Sequence, residues 1–337
     1  MSPHQQRYPE PSPETQDQLN QRVGRLHLWL RQGIQRDHVD QIFGRGRNFF
    51  HIENWYSIHS LMRLALQLTG LYGRGRRNAA DIQVRSNRVR IPGLPRPFHG
   101  LRLLHLSDIH LDMDPEIQAA LISRVAATAH DLCVITGDFR ARTHGDCQAA
   151  INALERLRPH LTGPVYGVLG NHDFIEMVPG LEALAMRVLL NESLPLEREG
   201  ACLYLAGIDD PHYYQADNLE KAADGIPPGA VAILLSHSPE IYRHAAHAGF
   251  KLMLCGHTHG GQICLPGGIP LTYNAHCPRR LGLGPWRWGE MQGYTSAGAG
   301  SCVVPVRFNC RPEITVHWLE GDDISGRGDP QSDPSPP

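Results

Sequence analysis

Five short apolar runs each end in a polar signature, and this ordered set restricts the fold more than any other feature of the chain. Leu101–Leu106 runs into Ser107-Asp108-Ile109-His110, and Leu132–Thr136 into Gly137-Asp138. Val165–Leu169 runs into Gly170-Asn171-His172-Asp173, Val231–Leu235 into Ser236-His237, and Lys251–Cys255 into Gly256-His257-Thr258-His259. Runs of this length and β-branched content predict strands. Further strands are expected at Leu203–Ile208 and Ile314–Leu319. Helical patterns fill the gaps at Pro115–His130, Cys147–Leu157, Leu181–Leu190 and Pro239–Ala248. Alternation of this kind predicts an α/β domain whose strand ends converge where such folds place their sites.

No single fragment carries this reading. With 20 His in 337 residues, about one Asp-x-His arises by chance, and there are two, the second being Asp210-Pro211-His212. The information lies in the order of the set. It supplies carboxylates (Asp108, Asp138), an amide oxygen (Asn171) and imidazoles (His110, His237, His257, His259). Mixed N/O donors suit Mn, Fe, Zn or Ni better than Mg or Ca. Seven donors exceed what one ion with an open position takes, so two divalent ions sharing a carboxylate fit the count. Arg140, two residues beyond Asp138, has the planar fork to reach a substrate phosphate.

Composition sets the remaining bounds. Hydrophobic residues at 41% and charged residues at 20% describe a globular chain, and a net charge of −2 gives no chain-wide field for nucleic acid. The eight cysteines form no Cys-x-x-Cys pair and read as reduced thiols. Residues 1–16 and 320–337 lack apolar periodicity and are expected to be disordered; 91–319 is the expected catalytic domain. Between them, 17–90 reads as a basic, amphipathic helical segment, with ten Arg and four acids over residues 17–78, a charge of +6 against −8 elsewhere. Across Trp55–Leu71, Ile58, Leu61, Met62, Ala65 and Leu68 recur at helical spacing. Such a face either packs on the main domain or lies on a membrane surface. No run is long enough to span a bilayer and no secretory signal is present, so the expected location is cytoplasmic, peripheral on the inner face of the cell membrane.

At the five signatures the chain resembles the calcineurin-like metallophosphoesterase superfamily over about Leu101 to Leu319. It is most similar to the bacterial branch whose last motif continues as Gly-His-Thr-His-Gly-Gly-Gln, here Gly256 to Gln262, and whose members often carry a membrane-associated segment before the catalytic domain. Alternation alone suggests a simple doubly wound parallel sheet. The resemblance instead implies a four-layer αββα fold, two stacked mixed β-sheets flanked by helices. It implies that Asp108, His110, Asp138 and His259 hold one ion and Asp138, Asn171, His237 and His257 the other. His172 would protonate or stabilise the departing oxygen, and Asp173 would support the site from behind. The implied reaction is attack on phosphorus by a metal-bridging hydroxide. Its substrate is a small-molecule phosphoester or a lipid-linked pyrophosphate such as UDP-2,3-diacylglucosamine. Rival readings are a non-catalytic interaction module on the same fold and a nuclease, the latter disfavoured by the −8 outside the basic segment.

Overall fold

The computed structural model describes residues 11–43, 56–270 and 273–322. Helix α1 (Pro13–Val23) starts where Ser12 Oγ accepts the Thr15 N–H and a proline takes the first position, so order begins inside the stretch expected to be disordered. Residues 1–10 and 323–337, the remainder of those two expectations, lie outside the described residues. After α1 come α2 (Arg25–Phe43), α3 (Tyr56–Leu68) and α4 (Tyr72–Ala80), then β1 (Gln83–Arg90), β2 (Arg102–Leu106), α5 (Pro115–Ala126), β3 (Leu132–Thr136), α6 (Gln148–Leu157) and β4 (Val165–Val168). The chain continues through α7 (Val178–Ala183), β5 (Met186–Val188), β6 (Glu192–Arg198), β7 (Ala201–Gly207), α8 (Leu219–Ala223), β8 (Ala232–Leu235), α9 (Tyr242–His247) and β9 (Leu252–Cys255). Short β10 (Cys264–Leu265) and β11 (Ile269–Pro270) precede β12 (Gly284–Trp288), β13 (Met291–Thr295) and β14 (Glu313–Glu320).

Two mixed six-stranded sheets result, in orders β1-β14-β2-β3-β4-β5 and β12-β13-β9-β8-β7-β6. Each has a parallel centre and antiparallel pairings: β14 with β2 in one, β12 with β13 and β6 with β7 in the other. Val134, Val168, Leu205, Ile233 and Leu254 pack between the sheets, while separate clusters bury α5, α6 and α7 on one outer face and α8 and α9 on the other. The layers therefore run αββα, as the resemblance implied and simple alternation did not. Two expectations fail locally. The helix expected at Leu181–Leu190 stops where Ala185 turns to φ 53°, and its second half is the edge strand β5. A domain boundary at residue 90 would part β1 from its own sheet, since β1 ends at Arg90 and pairs in parallel with β14 along its whole length.

Part of the basic segment packs on the main domain. Leu19, Val23 and Leu28 are fully buried in the core, each contributing about 2 kcal/mol. The segregated charges meet within the molecule: Arg22 pairs with Glu182 and Glu192, Arg31 with Asp209, and Arg76 with Asp114. In α4, Gly75 lies so close to Val306 and Phe308 that a Cβ would sit 2.7 Å from one and 2.9 Å from the other. Helix α3 behaves differently, leaving Leu61, Leu64 and Leu68 at 64%, 51% and 79% exposed. On α2, Leu26, Trp29 and Leu30 also face outward.

Candidate metal centre

The loops after β2, β3 and β4 of one sheet meet those after β8 and β9 of the other at a common end. The backbone there is forced. Asp108, His110, Asp138, His257 and His259 all have φ between 40° and 70°, a region side chains with a Cβ adopt at a cost of about 1–3 kcal/mol each. Mutual hydrogen bonds hold them: Asp108 N–H donates to Gly137 O at 3.1 Å, His110 N–H to Asp138 O at 3.1 Å, and His257 N–H to the Asp108 carboxylate at 3.0 Å. The last bond ties the two sheets together. The signature glycines are steric necessities, since a Cβ on Gly170 would lie 2.2 Å from Asp138 Oδ1 and one on Gly256 1.8 Å from Ser107 Oγ.

All seven residues expected as ligands come together, in two groups sharing Asp138. Donor atoms of Asp108, His110, Asp138 and His259 lie within 4.8 Å of one another. On the other side of Asp138, His237 Nε2 is 3.5 Å from Oδ1, 2.9 Å from Asn171 Oδ1 and 3.1 Å from His257 Nδ1. Backbone carbonyls fix the ring hydrogens: His110 Nδ1–H donates to Arg140 O at 2.7 Å, His237 Nδ1–H to Thr136 O at 2.8 Å, and His257 Nε2–H to Asn274 O. The nitrogens facing inward therefore carry lone pairs. His259 is the exception, its outer Nδ1 facing the donor Arg307 at 3.3 Å. Burial keeps His110, His257 and His259 well below the usual imidazole pKa, in the neutral form that ligates. Burial also pushes Asp108 up to about 6, with the Asp138 charge adding to the rise. Lone pairs and carboxylates facing each other across about 3 Å repel unless a cation lies between them, so the residues present fit divalent metal.

Behind this cluster, Asp173 collects four backbone N–H groups, from Asp138 at 2.7 Å, Phe139 at 2.9 Å, Arg140 at 3.3 Å and Gly170 at 2.9 Å. It thereby binds the Gly-Asp loop to the Gly-Asn-His-Asp loop. Burial raises its pKa to about 7, with the neighbouring Asp138 charge next in weight. His172 Nδ1–H donates to Ala141 O at 2.8 Å and turns Nε2 toward Asp138 Oδ2 at 3.9 Å. Arg140 does not reach outward as expected. It is buried over the Phe174 ring, 4.7 Å from the centroid, and donates to the carbonyls of His144, Gly145 and Asp146, because the loop after β3 folds back over it.

A second set of polar contacts runs from the sheet edge to the site. Ser107 O–H donates to Asp108 Oδ2 at 2.7 Å, so Ser107 Oγ is free to accept from Thr136 O–H at 2.8 Å. Thr136 Oγ1 in turn accepts from His105 Nε2–H at 2.9 Å. His105 Nδ1 accepts from His317 Nε2–H at 3.4 Å, and His317 Nδ1 from the Asn87 amide at 3.0 Å. Every donor points toward Asp108.

Sequence reasoning missed several residues here. Arg31 of α2 is fully buried, and its guanidinium binds Asp209 at 3.2 Å and the carbonyl of Asp173 at 2.9 Å. Arg307 donates to the carbonyls of Gly300 at 3.0 Å, His259 at 3.1 Å and Ala297 at 2.8 Å, gathering the loops beside the cluster. Cys302 Sγ lies 3.7 Å from His172 Nε2. His212, which alone had no informative context, holds Glu240 at 2.8 Å with its ring centroid 4.1 Å from that of His257. No local pattern singles them out: the Asp210-Pro211-His212 match is one expected by chance, and the others depend on contacts that only the fold makes.

A four-layer αββα fold with a carboxylate and imidazole cluster at the joined strand ends defines a metal-dependent phosphohydrolase. Residues 101–261 match the family model described as calcineurin-like phosphoesterase, and the chain belongs to that metallophosphoesterase superfamily. It is 29% identical over 254 residues to the uncharacterized metallophosphoesterase YkoQ of Bacillus subtilis, covering 72% of this chain and 92% of that protein. It is 30% identical over 248 residues to a transmembrane protein with metallophosphoesterase domain from Danio rerio, covering 67% of this chain but 55% of that protein, so it spans about half of that relative's length. Over 232 residues it is 27% identical to the UDP-2,3-diacylglucosamine pyrophosphatase LpxG of Chlamydia trachomatis, covering 51% of this chain and 68% of the relative. Among the described residues, no helix is long and apolar enough to cross a membrane.

Proposed function

We propose that the chain hydrolyses a phosphoester or pyrophosphate bond with two divalent ions, of Mn, Fe or Zn. Asp108, His110, Asp138 and His259 would hold one and Asp138, Asn171, His237 and His257 the other. The observation that carries this reading is the pair of donor groups on either side of Asp138, one meeting each carboxylate oxygen: Oδ2 at 3.6 Å from His110 Nε2 and Oδ1 at 3.5 Å from His237 Nε2. The ions supply Lewis acidity toward phosphoryl oxygens and a nucleophilic water at neutral pH. The protein residues orient and exclude: Asp173 fixes the two loops, the left-handed backbone aims the donors, and His172 offers Nε2 to the departing oxygen.

For the substrate, the reading is a lipid-linked pyrophosphate of the UDP-2,3-diacylglucosamine kind. It is supported by the name of the Chlamydia relative and by the exposed leucines of α3 beside Arg63. Residence on the inner face of the cell membrane, through α3 and neighbouring basic residues, follows from a substrate that lies in the bilayer.

Metal content with hydrolysis of bis-p-nitrophenyl phosphate and p-nitrophenyl phosphate tests the reaction. The expected result is about two ions per chain, and turnover that falls by more than about a hundredfold in Asp138→Asn, since losing even a supporting partner of a metal ligand costs 10–100-fold. Metal-free protein that stays inactive after Mn addition refutes it and favours an interaction module.

A further inference from the structure

Cys302 stands inside the cluster although none of the five signatures includes it. Its sulfur and single nitrogens of His110 and His259 lie within 4.8 Å of one another. His110 Nε2 and His259 Nε2 are 3.3 Å apart, the edge expected when two imidazoles share a tetrahedral zinc-sized ion, for which Zn–N of about 2.0–2.1 Å gives an N–N edge of about 3.3 Å. The thiol thus lies within reach of an ion shared with these two rings, and 3.7 Å from His172 Nε2.

The loop is built to hold it there. The Cys302 N–H donates to Gln262 Oε1 at 2.8 Å, and Gln262 Nε2 returns to Cys302 O at 2.8 Å and Val304 O at 3.1 Å. One side chain, the last of the Gly-His-Thr-His-Gly-Gly-Gln stretch, thus clamps both faces of the Cys302 backbone. The next residue, Val303, is held at φ 66°, a conformation a β-branched residue adopts only under constraint. Other cysteines are placed elsewhere: Cys133 and Cys255 are packed inside β3 and β9, and Cys202 is exposed.

We propose that Cys302 is a further ligand to the ion held by Asp108, His110, Asp138 and His259, and that it biases this position toward Zn or Fe over Mn. Thiolate is a soft donor and favours these metals, whereas a set of carboxylate and imidazole alone accepts Mn readily. On binding, the metal–sulfur bond replaces the S–H bond and the proton leaves to solvent. The inference rests on the dinuclear reading above.

The test loads the full chain with Co(II) and records its absorption, then measures Zn and Mn affinity by competition, for wild type and Cys302→Ser. The expected result is a sulfur-to-cobalt charge-transfer band in the near ultraviolet that Cys302→Ser lacks while its ligand-field bands remain, with Zn affinity about tenfold or more weaker in the variant and Mn affinity little changed. Two bound ions without the sulfur band, or an unchanged preference for Zn over Mn in Cys302→Ser, overturns the Cys302 assignment alone. A wild type that takes up neither Co nor Zn overturns the dinuclear reading and this one with it.

Discussion

Replacing Arg31 with Ala should destabilise the protein by about 3–5 kcal/mol, the usual cost of deleting one partner of a buried ion pair. Arg31 and Asp209 are both fully buried. Without the guanidinium, the Asp209 carboxylate keeps His27 Nε2 at 3.1 Å and the Asp210 N–H at 2.8 Å but loses its permanent countercharge. Despite burial, Arg31 and then His27 hold Asp209 below the usual carboxylate range, so the deletion removes its strongest charge partner and leaves the desolvation of the buried carboxylate uncompensated. The same change also removes the bonds from Arg31 to Gln35 at 2.7 Å and to Asp173 O at 2.9 Å, and the packing of the guanidinium over Tyr214, 3.2 Å from the ring centroid. Urea unfolding followed by circular dichroism reads the loss, which corresponds to a fall in Tm on the order of 10 °C. The double variant Arg31→Ala/Asp209→Ala should recover about 2 kcal/mol relative to the sum of the single changes, because the stranded charge is gone. A single-variant cost under about 1 kcal/mol, or additive single changes, would refute the view that this pair clamps α2 to the catalytic loop.

Two further outcomes follow from burial and exposure. Burial pulls His105 down to about 3 and His317 well below its usual value, so both are neutral when folded while the unfolded chain protonates them near 6.5. Stability from this pair is fully present above about pH 6.5 and is lost as pH falls toward 3, at about 2.7 kcal/mol per pH unit for the two together. Urea midpoints of metal-free protein at pH 7, 6 and 5 should therefore fall more steeply for wild type than for His105→Gln/His317→Gln, and equal slopes would contradict it. Replacing Leu61, Leu64 and Leu68 with Ser should abolish co-sedimentation with anionic liposomes without lowering Tm by more than a few degrees, since these side chains are already exposed. Surface changes are the sharper tool here, because truncation at residue 91 would also remove the sheet strand β1. Liposome binding that survives the triple change would remove α3 as the membrane contact.

What the sequence conveys depends on how local each signal is. The strands that carry the site are short, apolar and followed at once by their functional residues, so β2, β3, β4, β8 and β9 could be placed to within a residue or two. Edge strands gave no such sign. Gln83–Arg90 is mostly polar and charged, with Val84 and Val89 its two apolar residues, because most of it is exposed, and it takes its order from pairing with β14, more than 220 positions away. Met186–Val188 was absorbed into a helical pattern because three residues are too few to establish a period of two. Arg31 is the sharpest failure: an arginine among nine others reads as solvated, and only the fold brings Asp209 to it. Arg140 failed the other way, its proximity in sequence to Asp138 suggesting a reach that the loop after β3 reverses.

The row of hydrogen bonds from Asn87 to Asp108 has a logic of its own. Five links share one direction, so a single link cannot turn around: reversing one sets two hydrogens, or two bare lone pairs, against each other at the next junction. The row therefore behaves as one object with two settings. Its outer end is the amide of Asn87 on edge strand β1, and its inner end is the carboxylate that faces the candidate ion. A mostly exposed strand is thus linked to Asp108 Oδ2, the oxygen on which the Ser107 hydroxyl and the His257 N–H converge, and a substitution at Asn87 would be felt from β1 across β14, β2 and β3.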